Sequence, residues 1–220
     1  LIKATYDVLP SPANLVRWKV ADDDKCRCGE KGTVRHILSR CKLALNRFTW
    51  RHDQVLVVLV KALKDKIDQI NQGKVPTVSK RAEVTFHKAG ARKQAKPAAK
   101  SQVVDKRWKG HWELAADLES FLVFPLVGTT QRPDIVVWSQ EIRCAIVLEL
   151  TVPWEDNFVN AEIRKEERYE TLMEECRAQS WNVEYYHLAV GARGFIERKL
   201  LNIFRHRFGF SAAELRRLKC

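Results

Sequence analysis

Four residues near the start of the chain have the types and spacing of a metal site: Cys26-x-Cys28-x7-His36-x4-Cys41. Three thiolates and one imidazole are donors that suit tetrahedral zinc and leave it no open position, so the chemistry predicted is structural. Gly29 and Gly32 permit a tight turn after the first pair. One residue separates Cys26 from Cys28 where two are commoner in zinc knuckles, which brings the two thiolates to a shared metal under more strain. The competing reading is a chance cluster of buried free thiols.

A second set lies downstream. Arg132-Pro133-Asp134 opens one apolar run, and Glu149 sits inside the next, CAIVLELTV. Neighbouring strands would bring Asp134 and Glu149 side by side. There they can hold Mg2+, which lowers the pKa of a bound water and stabilises charge on a phosphodiester. Along the second strand Ile146, Leu148, Leu150 and Val152 face one way and Ala145, Val147, Glu149 and Thr151 the other. A carboxylate in so apolar a strand is costly unless paired or metal-bound. Lys165 falls on the apolar stripe Phe158, Ala161, Tyr169, Leu172 and Cys176 of the following helix. It should therefore point at the sheet, where it can orient an attacking water or stabilise the transition state. Glu113, on a helix read over HWELAADLESFL, is a further candidate ligand or base. Other readings stay open: Asp134 as a strand-start turn residue, Glu149 in a buried ion pair with Arg143 or Arg132, Glu113 as a surface carboxylate. His52, His87, His111, His187 and His206 sit in no recognisable motif, and nothing supports Ser/His/Asp catalysis.

The elements that must position these residues follow from periodicity. Residues 1–46, which open on an extended entry over 1–24, form the zinc-knuckle region. Leu56, Leu59, Leu63, Ile67 and Ile70 predict a helix over 48–72, within a connecting segment 47–73 stopped at Gly73. Residues 74–107 are a basic linker, with a short strand suggested at Val84-Thr85-Phe86. Residues 108–220 form the second domain: strands over 133–138, 144–152 and 182–190, helices over 158–179 and 195–208, and a Ser211/Glu214 capping box opening a last short helix. The predicted order α-β-β-β-α-β-α gives an α/β fold with a mixed sheet flanked by helices.

Lys and Arg number 39 against 27 Asp and Glu, a net charge of +12, which points first to nucleic acid and second to an acidic membrane surface. No apolar run reaches the roughly 18 residues that span a bilayer, and no signal peptide is visible. Six cysteines, three of them scattered, do not make a disulfide scaffold, and a reducing compartment is expected.

The order of the Cys/His group, Arg51-His52-Asp53 and Arg132-Pro133-Asp134-x14-Glu149 resembles the C-terminal region of non-LTR retrotransposon polyproteins that carry a restriction-enzyme-like endonuclease. ATYDVLPSPANLVRW, HILSRC, WRHDQVL, RPDIVVWS, ELTVPWE and ERYETLMEECR carry the resemblance, which covers most of the chain and is weakest in the basic stretch. It implies a PD-(D/E)xK fold and a nuclear, Mg2+-dependent enzyme that nicks target DNA, with the element's RNA as a second candidate partner and a reverse transcriptase expected upstream. It implies Asp134 and Glu149 as metal ligands and Lys165 as the lysine moved from strand to helix. Thr151 then stands where many restriction enzymes put lysine. The knuckle would bind zinc, and Arg51, His52, Arg132, Arg198 and Lys199 would contact nucleic acid. The short Cys26-x-Cys28 spacing departs from the family's pattern, and a non-catalytic or decayed copy is the alternative.

Overall fold

The computed structural model describes residues 2–74, 77–79, 102–104, 106–118 and 121–218. Short helices α1 (Ile2–Thr5), α2 (Pro12–Arg17) and α3 (Val34–Ser39) precede the 27-residue α4 (Leu45–Asn71). Strands β1 (Thr77–Ser79) and β2 (Gln102–Val104) pair antiparallel, and so join the two ends of the basic stretch. There follow β3 (Glu113–Ala116), β4 (Ile135–Ser139), β5 (Cys144–Thr151), α5 (Phe158–Ala178), β6 (Asn182–Ala189), α6 (Arg198–His206) and α7 (Ala212–Arg217). The strand suggested at 84–86 lies outside the described residues.

The chain is mixed α/β. Its main sheet has the order β3-β4-β5-β6, antiparallel through β5 and then parallel to β6, with α5 as the crossover. Every residue of β5 after Cys144 is buried, as expected of a strand covered on both faces. On one face Ile135, Val137, Ile146, Leu148 and Leu150 pack with α4 and α6. On the other, Val136, Ala145 and Val147 meet Tyr169, Leu172 and Cys176 of α5. The period-two alternation read from the sequence is the division between these two layers.

Helix α4, within the segment 47–73 read as connecting, also packs on the sheet. Leu56, Leu59, Leu63, Ile67 and Ile70 of α4 are buried in one cluster with the sheet, each such side chain contributing about 1.5–3 kcal/mol by burial. The clamp at its end is polar: Asn71 donates to the Trp112 carbonyl at 2.8 Å and accepts from the Trp112 N–H at 2.9 Å. The core thus runs across the boundary drawn at the basic stretch.

Within HWELAADLESFL, read as a helix, Glu113–Ala116 instead form strand β3. Its residues are good helix formers, but β4 offers it a ladder of backbone groups that would otherwise be buried without partners. Tertiary pairing overrides a weak local preference. Among the described residues of 108–220 the order is therefore β-β-β-α-β-α-α, with a strand where the first helix was expected. Among the described residues no helix is long and apolar enough to cross a membrane.

Candidate metal site and a carboxylate pair beside a basic cleft

The Cys/His group converges. A turn with Gly29 at φ 91°, closed by the Cys26 N–H donating to the Glu30 carbonyl at 2.7 Å, carries the first two sulfurs. Gly32 is required for a different reason: a Cβ there would meet the Pro12 ring at 2.7 Å. Thr33 caps α3 by accepting from the His36 N–H at 3.1 Å, which fixes the histidine on the first turn. Cys26 Sγ lies 3.7 Å from Cys41 Sγ, and Cys28 Sγ lies 3.0 Å from His36 Nε2. All four ligand atoms fall within 4.8 Å of one another. A tetrahedron with bonds of about 2.0–2.3 Å has edges of roughly 3.3–3.8 Å, close to these spacings. The four residues are positioned to hold a metal ion, and their donor set is consistent with structural zinc. The Cys28 backbone N–H pulls the Cys26 thiol down to about 7, whereas burial pushes Cys41 up.

The antiparallel register of Ile135 with Leu148 sets Asp134 level with Glu149. The two carboxylates grip each other's strands. Asp134 N–H donates to Glu149 Oε2 at 3.2 Å, and Leu150 N–H donates to Asp134 Oδ2 at 2.6 Å. Glu149 is only 2% exposed. Burial and then the charge of Asp134 push its carboxyl up, against the pull of Lys165, which pairs with Glu149 Oε1. Lys165 reaches the sheet from α5, as its place on the apolar stripe requires.

Two histidines complete the surroundings. From the second turn of α4, His52 places Nε2 3.4 Å from Asp134 Oδ2, while its Nδ1 lies 3.1 Å from Asp53. Burial opposes its charge, but contact with Asp134 and then Asp53 outweighs that and lifts its pKa to about 9. His187, level with Glu149 on β6, puts Nε2 2.8 Å from the Thr151 hydroxyl. Burial, with Lys165 and Arg164 nearby, lowers it to about 4.

Beside this row opens a cleft of about 410 Å³, walled by the knuckle, α4, the end of β5 and α5. Arg35, Arg40, Arg51, His52, Arg164 and Lys165 line it, and among the described residues no Asp or Glu does. Arg51 is fixed by donating to the Leu38 carbonyl at 2.7 Å, while its Nε has no hydrogen-bond partner among the described residues. Arg35 is paired at 3.7 Å with Asp156, a largely exposed carboxylate.

The structure thus brings Asp134, Glu149, Lys165, Arg51 and His52 together. It does not bring Glu113. That residue is exposed on β3 opposite Trp138, at the other end of the strand from the ladder bond between Asp117 N–H and the Asp134 carbonyl. Four residues of strand separate the two, roughly 13 Å at 3.3 Å per residue. Arg132 is exposed at the sheet end, over the Phe121 ring at 4.5 Å. Arg198 and Lys199 lie on α6, and Lys199 is paired with Glu162. His52, which the resemblance implied as a nucleic-acid contact through Arg51-His52-Asp53, lies against Asp134. His52 was legible by position, four residues before Leu56 on the buried stripe of α4. His187 gave no signal, because a parallel register cannot be read from one strand. No known family model matches the chain, and no curated protein matches its sequence.

Proposed function

We propose that this chain is the zinc-knuckle and nuclease region of a non-LTR retrotransposon polyprotein, a Mg2+-dependent endonuclease of PD-(D/E)xK type that nicks nuclear DNA. The observation that carries the reading is the basic cleft that opens beside the facing carboxylates Asp134 and Glu149. The sign of the cleft suits a phosphodiester, and the carboxylates suit the cation that such a reaction needs.

Asp134 and Glu149 would hold Mg2+. Two features of this site fit a dication: Glu149 is pushed toward its protonated form by burial and by Asp134, and no donor among the described residues meets Asp134 Oδ1. Bound there, the ion supplies an acidified water and stabilises charge on the phosphoryl oxygens. Arg51 and Arg164, which line the cleft, would hold the phosphate. Lys165 stands between Glu149 and the cleft, and His52, itself lining the cleft, braces Asp134. Zinc at Cys26, Cys28, His36 and Cys41 would fold the knuckle wall that presents Arg35 and Arg40.

One observation favours a second reading, a nucleic-acid-binding module without cleavage. Both carboxylates are already compensated within the chain, Glu149 by Lys165 and Asp134 by His52. Supercoiled plasmid with Mg2+ separates the two readings. Nicking by the wild type, reduced about a thousandfold or more in Asp134→Ala, is the expected result. Retention of plasmid by both proteins at low salt with no nicking by either would leave the binding module.

A further inference from the structure

The sheet has a second basic face that the carboxylate pair does not use. A groove of about 460 Å³ runs beside α6, between Tyr186 of the edge strand β6 and Arg107 ahead of β3. Arg107, Arg198, Lys199 and Arg207 line it with Asn202 and His206, Lys199 being paired with Glu162 and Arg207 with Glu184, and among the described residues no carboxylate lines it. Along β6, Tyr186 alternates with His187, and His187 is level with Glu149. Tyr186 and the groove therefore lie on the opposite face of the sheet from Glu149.

Part of this wall is fixed by its own contacts. The buried Arg207 guanidinium lies 4.8 Å from the Trp108 ring and donates to Glu184 at 2.7 Å, and the Tyr186 hydroxyl donates to the same carboxylate at 2.6 Å. Arg107 donates to the His206 carbonyl at 3.4 Å and ties the far end of α6. The exposed side chains differ. Arg198 and Asn202 make no hydrogen bond or ion pair among the described residues. Arg198, Asn202 and His206 recur every fourth residue, so they form one line along the helix in steps of about 6 Å. A line of polar and cationic groups at that step matches successive phosphates on a strand better than it matches one compact anion.

We infer that the α6 groove is a second nucleic-acid site, holding the phosphodiester backbone of a stretch separate from the one in the carboxylate cleft. An anionic membrane is the less fitting occupant. The apolar residues of α6, Leu200, Ile203 and Phe204, are buried in the core, so the helix has nothing to insert between lipids. The inference shares the nucleic-acid partner with the proposed function but needs no cleavage.

Asn202 allows a test in both directions, since it is exposed and a charge placed there removes no contact. The whole chain is titrated with a fluorescent 30-base-pair duplex, without divalent cation. Asn202→Glu is expected to weaken binding about tenfold, and Asn202→Lys to strengthen it severalfold and steepen the log-affinity against log-salt slope by about one. Gln140→Glu, in the exposed β4–β5 turn, makes the same charge change away from the groove and should cost less than about twofold. Equal effects of the two glutamates, or none at Asn202, would overturn the site. So would Asn202 variants that alter binding to phosphatidylserine-containing vesicles but not to the duplex. A chain that binds in this way yet never nicks would keep the groove and lose the endonuclease.

Discussion

The knuckle and the carboxylate row solve opposite problems. The knuckle has donors without a core: neither apolar cluster holds a residue before Val55, and Val34, Cys41 and Ala44 are the buried apolar side chains around the four ligands. The row has a core without relief. Glu149 is set among Val147, Leu148 and Leu150 by a strand paired on both sides. In the first region a bound metal would make the structure; in the second the structure makes a demand for positive charge, met within the chain by Lys165 and His52. One site should collapse without its ion, and the other should keep its shape.

Chelation is the harshest way to break this contrast. Stripping the metal is expected to abolish amide hydrogen-exchange protection over 26–41, withdrawing binding free energy on the order of 10 kcal/mol, while β4, β5 and β6 keep theirs. Unchanged protection of 26–41 would mean that the thiols hold nothing. Next in size are substitutions at Glu149. Glu149→Ala strips Lys165 of its partner and opens a gap, at a cost of about 1–3 kcal/mol in urea unfolding. Glu149→Gln keeps the shape and removes a charge that burial opposes, so it should unfold within about 1 kcal/mol of wild type while losing nicking. Equal losses of stability in the two variants would show that the row depends on its charge after all.

The two histidines sharpen the comparison through pH. His52 is raised from 6.5 to about 9, so its contribution is complete below about 6.5 and is lost as pH rises through about 9. His187 is lowered from 6.5 to about 4, so its contribution is present above about 6.5 and is lost as pH falls through about 4. His52→Gln should flatten the alkaline limb of the stability profile, and His187→Asn the acid limb. A profile unchanged on either side removes that histidine from the row. The smallest effect is expected at Glu113. Glu113→Ala should stay within about 0.5 kcal/mol of wild type, as exposed positions do, and leave nicking intact.

What could be read in the sequence divides along the same line. Local spacing carried the Cys/His group, the alternation on β5, the inward Lys165 and the Ser211/Glu214 capping box, which is present in full. What escaped depends on the partner strand or helix. Glu-Leu-Ala-Ala became β3 because β4 needed a neighbour, and Glu113 left the site with it. The level placement of His187 and Glu149 is a property of two strands together. The cleft needed three separated segments to meet. His52 falls between these cases, since its helical phase was legible while its target, Asp134, lay 82 positions onward.

The length of α4 has a consequence for how this chain can tolerate change. One helix carries Arg51 against α3, His52 against Asp134 and Asn71 against Trp112. Its two ends are thus locked to different parts of the molecule. A single residue inserted near Lys61 would turn one end relative to the other by about 100° and shift it about 1.5 Å, so the knuckle wall and the histidine would swing away from the sheet together. Substitutions on the outer face of α4 are cheap by comparison. Insertions and deletions there should be the changes the chain cannot absorb, which makes this helix behave as a measured spacer whose residue count is itself under constraint.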